Sequence, residues 1–111
     1  MKIYLDDVRD TPPGWVRCYW PEEVIELLKN AQPGAITEIS LDHDLGGNDI
    51  WDKRTGYDVI TWIEEQVATK GFVPPPIIHL HTANPAAWPR MKVGVDKIYE
   101  LHQRNINSKT D

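Results

Sequence analysis

The chain has 111 residues, of which 41% are hydrophobic and 26% are charged, and its formal net charge is −5 at pH 7. This length is enough for one domain with a single core, and the composition is that of a globular protein rather than a disordered one. The acidic balance argues against an extended nucleic-acid surface, which requires clustered Lys and Arg.

The cysteine count and the N-terminal residues bound the compartment. Cys18 is the only cysteine, which excludes a disulfide within the chain and a CxxC-type metal site. The N-terminus becomes acidic at Asp6, unlike a signal peptide, and no apolar run approaches the roughly 20 residues that span a bilayer. We therefore expect a cytoplasmic protein without membrane association. Nothing in the pattern predicts its oligomeric state.

The chain opens with a short strand and a loop. KIYL, residues 2–5, is an apolar run that predicts a β-strand, and Asp6 and Asp7 follow it directly. VRDTPPG, residues 8–14, contains Pro-Pro-Gly, which is typical of a turn or loop. The first strand is therefore expected to end in two adjacent carboxylates.

A second strand, a helix and a third strand follow. The alternating bulky residues 15–20 predict a strand, and Pro21 begins a helix that ends at the NAQPG segment, residues 30–34. AITEISL, residues 35–41, predicts the third strand. This strand leads straight into a second acidic cluster.

The second half of the chain predicts two helices around a fourth strand. After a polar loop, residues 57–71 have apolar side chains at helical spacing, and residues 77–81 predict the fourth strand. A last helix begins at Ala86, and residues 106–111 are expected to form a flexible tail. We therefore expect one domain over residues 1–105.

This order of elements predicts an α/β fold. Strands that alternate with helices form a mostly parallel sheet, here of four strands, with helices on its faces in a three-layer arrangement. In open sheets of this class the ligand crevice lies beyond the carboxyl ends of the strands. Three polar clusters follow predicted strands and are therefore expected at one crevice: Asp6-Asp7, Asp42-His43-Asp44 and His81-Thr82-Ala83-Asn84.

The aspartates of these clusters are candidate metal ligands. One aspartate at a strand end is typical of an ordinary turn, but two pairs at neighbouring strand ends repel each other unless a cation lies between them. Oxygen ligands of this kind suit Mg²⁺ or Mn²⁺, and also Ca²⁺. The candidate ligands are Asp6, Asp7, Asp42 and Asp44.

Histidines and donors near the aspartates suggest phosphoester chemistry. His43 and His81 are candidate acid–base groups, because the unperturbed pKa of histidine lies near 6.5. Arg9, Thr82 and Asn84 are candidate phosphate-binding residues.

Other polar and aromatic residues have competing structural explanations. His79 lies deeper in the fourth strand and is expected to be a packed, hydrogen-bonded histidine. Lys53 and Arg54 of the polar loop are candidate contacts for an anion, and Trp51 is equally consistent with packing and with stacking on a nucleobase.

Four segments together resemble one family. YLDDVR, ISLDHDLG, TGYDVITWIEE and HTANP resemble the cyclic-phosphate processing receiver domains, a divergent branch of the two-component receivers. The resemblance extends from Lys2 to about Leu101. It implies a shortened flavodoxin-like core in which Asp6, Asp7 and Asp42 bind Mg²⁺ and Thr82 takes the hydroxyl position.

The chain departs from ordinary receivers in more than one respect, and the VRDTPPG loop stands where an ordinary receiver has its first helix. An ordinary receiver carries a fifth strand that ends in a lysine contacting the phosphoryl group, whereas one predicted helix follows the fourth strand here. The missing lysine argues against phosphorelay signalling. What the family resemblance implies instead is hydrolysis of a cyclic phosphate on a nucleotide or RNA terminus, with a divalent cation. Asp42 is either a metal ligand or a nucleophile. Two alternatives stay open: a signalling receiver phosphorylated on Asp42, and a non-catalytic binder of a cyclic nucleotide or other anion.

Overall fold

A computed structural model describes residues 1–43 and 55–109 of the chain. It contains four strands and three helices in the predicted order. They are β1 (Lys2–Leu5), β2 (Trp15–Cys18), α1 (Pro21–Asn30), β3 (Glu38–Leu41), α2 (Gly56–Lys70), β4 (Ile77–Leu80) and α3 (Ala87–Lys109).

The strands form one parallel sheet in the order β2-β1-β3-β4. The order reverses between β1 and β3, because the chain moves outward from β1 to β2 and then crosses back to β3. This reversal is the point at which open α/β sheets form their crevice. The prediction of a shortened flavodoxin-like α/β fold is confirmed.

The ends of the helices follow their local sequences. Glu23 Oε1 accepts hydrogen bonds from the main-chain N–H groups of Tyr19 and Trp20 at 3.0 Å, which stabilises the start of α1. Thr55 caps α2, with its hydroxyl accepting from Tyr57 N at 3.2 Å. Gly71 ends α2 in the left-handed region, with φ of 65°.

Several predicted boundaries differ from the structure by a few residues. β2 ends at Cys18 rather than at residue 20, and β3 begins at Glu38 rather than at residue 35. Helix α3 extends to Lys109, so residues 106–109 of the expected tail are helical. The polar residues at the strand ends are unaffected by these shifts.

The core lies on one face of the sheet. Crossovers between parallel strands are right-handed, and both the β2–α1–β3 and β3–α2–β4 units move in the same direction across this sheet, so α1 and α2 pack on the same face. Helix α3 packs along α2. The buried core residues are Ile3, Leu5, Cys18, Val24, Leu28, Ile36, Ile39, Leu41, Val59, Ile60, Ile63, Val67, Ala87, Met91, Val95 and Ile98.

The expected third layer is absent from the described part of the chain. Among the connections between strands, only the one from β1 to β2 runs in the opposite direction and could place a helix on the opposite face, and α3, after the last strand, packs against α2. The described connection is instead a loop with two prolines and Gly14. Within residues 1–43 and 55–109 the fold therefore has two layers. No described helix is long and apolar enough to cross a membrane.

Candidate active site

Three candidate residues are held in register by the sheet itself. Asp6, Asp42 and His81 each come one residue after a strand, and their main-chain N–H groups continue the hydrogen-bond ladder. These hydrogen bonds fix the main-chain positions from which the three side chains extend. Asp6 N donates to Cys18 O at 3.1 Å, Asp42 N to Leu5 O at 3.0 Å, and His81 N to Leu41 O at 3.0 Å.

Asp6 is the most buried member of the site, with 1% of its surface exposed. Its Oδ1 accepts hydrogen bonds from Val8 N at 2.8 Å and Arg9 N at 3.0 Å, which shapes the turn after β1. Its Oδ2 lies 3.1 Å from His81 Nε2. Burial by itself raises the pKa of Asp6, but these hydrogen bonds outweigh it and the net pKa lies below its ordinary value. Asp6 is therefore ionised at neutral pH.

His81 is bonded through both ring nitrogens. Nε2 faces Asp6 Oδ2, and Nδ1 lies 2.7 Å from the hydroxyl of Ser40. Burial lowers the pKa of His81 below its ordinary value, although the two nearby carboxylates oppose this shift. The imidazole is therefore neutral at pH 7. Because ionised Asp6 can only accept, Nε2 carries the proton and Nδ1 accepts from Ser40.

Asp42 occupies a different electrostatic environment from Asp6. Burial, followed by the charge of Asp6, raises the pKa of Asp42 above its ordinary value. Asp42 Oδ1 accepts a hydrogen bond from His43 N at 2.9 Å. Two carboxylates with opposite pKa shifts therefore lie beside one neutral imidazole, a pattern that occurs at functional sites.

Arg9 joins the loop after β1 to the end of β4. Its Nη1 donates a hydrogen bond to His81 O, and its Nε lies 3.9 Å from Asp6 Oδ2. Its side chain is nevertheless 45% exposed. Arg9 is thus held beside Asp6 and His81, while the exposed part of its side chain can contact an anion from solvent.

The geometry fits a divalent cation at Asp6, Asp42 and His81. One ligand atom from each lies within 4.8 Å of the others, and they form the only such group within residues 1–43 and 55–109. Two carboxylates and an imidazole suit Mn²⁺ or Zn²⁺ better than an all-oxygen site does. Asp7 is outside this group.

The remaining predicted residues occupy less central positions. His43 follows Asp42, and its carbonyl accepts from Gly56 N at 3.2 Å. Thr82 Oγ1 accepts from Asn84 N at 3.1 Å in the loop after His81. Asn84 Oδ1 accepts from the main chain of residues 86 and 87 at the start of α3. Thr82 and Asn84 therefore shape the loop beside the site.

Part of the predicted set lies outside the described residues. Asp44, a candidate metal ligand, belongs to the segment 44–54. Trp51, Lys53 and Arg54, the candidate ligand contacts of the polar loop, belong to the same segment.

The sequence reasoning did not identify Ser40. Its side chain is buried, with 6% exposure, and it contacts a histidine 41 positions later in the chain. The available signal was a lone serine inside the apolar strand two residues before Asp42. The role of Ser40 becomes evident only from the register in which β3 pairs with β4.

Comparison with known proteins identifies the family. The family model for the cyclic-phosphate processing receiver domain matches residues 1–97. No curated protein and no solved structure gives a significant match. The resemblance inferred from the four sequence segments is therefore confirmed.

Proposed function

The chain belongs to the cyclic-phosphate processing receiver family, and on this premise we propose that it hydrolyses the cyclic phosphate of a nucleotide or an RNA terminus. The observation that supports this most is the grouping of Asp6, Asp42 and His81 within 4.8 Å at the sheet edge. Asp6 is ionised and the imidazole is neutral, and burial and the charge of Asp6 raise the pKa of Asp42, so its ionisation would place a second negative charge in a partly buried site. A divalent cation compensates that charge.

In this proposal Asp6, Asp42 and His81 hold the cation, with Asp7 and Asp44 as further candidate ligands. Mg²⁺ and Mn²⁺ are both candidates, and the imidazole favours Mn²⁺. When bound, the cation supplies Lewis-acid stabilisation of charge on the phosphate oxygens.

The other residues bind the phosphate and transfer protons. Arg9 presents the exposed part of its guanidinium to a phosphate oxygen, and Thr82 and Asn84 supply donors from the adjacent loop. Hydrolysis adds water to phosphorus and breaks one ring P–O bond, so the leaving oxygen must gain a proton. We assign acid–base work to His43, because His81 is assigned to the cation, with His81 as the alternative.

Turnover of defined substrates tests this proposal. We would incubate the protein with 2′,3′- and 3′,5′-cyclic nucleotides and Mg²⁺ or Mn²⁺, and follow ring opening by phosphorus NMR. Asp42→Asn and His81→Gln should lose at least about 100-fold in rate, on the scale of removing a catalytic group. Asp96→Asn and His102→Gln in α3 are matched controls and should retain full activity.

Two results would contradict the hydrolase proposal. Stable phosphorylation of the wild type by a small phosphodonor, absent from Asp42→Asn, would instead support a signalling receiver. Recovery of every cyclic nucleotide unchanged, although bound, would support a non-catalytic binder.

A further inference from the structure

The face of the sheet opposite the helices is the feature from which we infer a ligand surface. Parallel sheets are normally covered on both faces, yet no helix of residues 1–43 and 55–109 packs on this one. Alternation along the strands places eight residues there, which we call the open face. They are Lys2, Tyr4, Trp15, Arg17, Glu38, Ser40, Ile77 and His79.

Aromatic rings extend across the open face. Trp15 lies in β2 and His79 in β4, with two strands between them, yet their ring centroids are 6.2 Å apart. Trp15 also contacts Tyr4 edge-on, at 6.1 Å between centroids. The side chain of Trp15 therefore extends over the middle strands towards the ring of His79. His79 was expected to be packed; it bonds to Glu38 at 3.2 Å, but its side chain is 50% exposed.

The open face is continuous with the candidate active site. The ring of Tyr4 stacks on that of His81, with 4.4 Å between centroids and 3° between planes. His81 also belongs to the group with Asp6 and Asp42. A phosphate ester bound at that group can therefore extend its organic part over Tyr4 and Trp15.

The chemistry of the open face suits a nucleobase. Indole and phenol rings stack on the π face of any base, and such stacking contributes about 1 to 3 kcal/mol per base. The ammonium of Lys2 lies 5.7 Å from the Trp15 ring centroid, which supplies positive charge for a nucleotide. The carboxylate of Glu38, 22% exposed, can accept from an exocyclic amino group.

We propose that the open face binds the base of the nucleotide whose phosphate occupies the candidate active site, with Trp15 as the stacking residue. This inference rests on the proposed function, because it takes the ligand to be a nucleoside phosphate. It assigns the open face to substrate recognition and not to a second protein.

Binding of two ligands that are not turned over tests the assignment. Adenosine 3′-monophosphate carries a base, and glycerol 2-phosphate does not. With Mn²⁺ present, Trp15→Leu should weaken binding of the nucleotide by about 5- to 150-fold, the range that corresponds to loss of one stacked base. It should leave glycerol 2-phosphate binding unchanged. Trp15→Phe should fall between Trp15→Leu and the wild type.

Trp62→Leu is the matched control, because Trp62 packs against Phe72 on the helix side of the sheet. It should change neither affinity. In the wild type, the indole N–H signal of Trp15 should move on addition of the nucleotide and not of glycerol 2-phosphate, a measurement that needs no variant to fold.

Equal weakening of both ligands in Trp15→Leu, or no weakening of either, would overturn the assignment. The proposed function fails separately. Base-dependent binding without hydrolysis of any cyclic nucleotide would refute the hydrolase and leave the open face intact. Hydrolysis of a cyclic nucleotide at the same rate in Trp15→Leu and in the wild type would support the hydrolase and refute the assignment of the open face.

Discussion

The Ser40 hydroxyl lies 2.7 Å from Nδ1 of His81, while Nε2 of the same ring lies 3.1 Å from Asp6. Ser40 thereby fixes the rotation of an imidazole that is also a candidate metal ligand. In the metal-free protein Ser40 donates to Nδ1. If Nε2 were a metal ligand it would carry no proton, so Nδ1 would be protonated and would donate to the Ser40 hydroxyl. A ligand histidine usually has such a partner at its other nitrogen.

Ser40→Ala should therefore weaken Mn²⁺ binding by about 10- to 100-fold, the usual cost of losing such a partner. Ser40→Thr keeps the hydroxyl and should restore most of the affinity. Calorimetric titration gives the affinity, and nitrogen NMR of His81 gives the tautomer. Thr61→Ala is the control, since that hydroxyl donates to Tyr57 O within α2, away from the candidate active site. Unchanged affinity in Ser40→Ala would refute the role.

Acid should destabilise the metal-free protein in two steps. The folded pKa of His81 lies below its ordinary value, so the unfolded chain takes up the proton first as pH falls below about 6.5, and stability declines. The folded pKa of Asp6 is also lowered. Its contribution is present above about pH 4 and is lost as pH falls through the folded pKa.

Urea unfolding in EDTA at several pH values between 5 and 8 measures the first step. His81→Gln should flatten the dependence in this range, because it removes the titrating ring. His102→Gln should leave the slope as in the wild type. A slope that survives His81→Gln would assign the titration to another group.

Asp42→Asn should stabilise the metal-free protein at pH 7. The pKa of Asp42 is raised in the folded protein, whereas those of Asp6 and His81 are lowered. Ionisation of Asp42 therefore lowers the free energy of unfolding as pH rises through its folded pKa. Asparagine keeps an oxygen for His43 N and removes the charge beside Asp6. We expect a gain of about 0.5 to 2 kcal/mol, the usual range for a single stabilising substitution. The gain should shrink near pH 4 and in saturating Mn²⁺.

Thermal or urea unfolding with and without Mn²⁺ checks this prediction. Asp96→Asn is the control, because Asp96 is exposed on α3 and pairs with Lys92. A loss of stability at pH 7 in Asp42→Asn would show that the carboxylate is not a source of repulsion.

Gly56→Ala should damage both the fold and the site. A Cβ atom at Gly56 would lie 1.7 Å from the carbonyl oxygen of Asp42. Helix α2 would have to move away from the end of β3, at a cost of about 1 to 3 kcal/mol or more. Gly71→Ala is the comparison, because nothing lies within 4 Å and only its left-handed backbone resists alanine, at about 1 to 2 kcal/mol.

Stability and Mn²⁺ affinity separate the two glycines. Gly56→Ala should lower both, because it displaces Asp42, whereas Gly71→Ala should lower stability alone. Equal effects of the two variants on Mn²⁺ affinity would contradict the close approach of α2 to Asp42.

The linear sequence determined the elements and the edge at which function lies. Apolar periodicity placed β1 over Lys2–Leu5 and gave α2 its buried face. Because the carboxyl ends of parallel strands share one edge, the positions of Asp6, Asp42 and His81 after strands predicted that they converge. That inference needs only the order of the elements and the period of the side chains.

Tertiary structure alone decided how those residues divide their roles. Asp6 and Asp7 are indistinguishable neighbours in the sequence, but only Asp6 joins the group with Asp42 and His81. Ser40 contacts His81 only because β3 pairs with β4 in this register. The open face exists because the connection from β1 to β2 is a loop, while right-handed crossovers place α1 and α2 together on the other face. Contacts between residues far apart in the chain depend on register and handedness, which no local pattern of residues encodes.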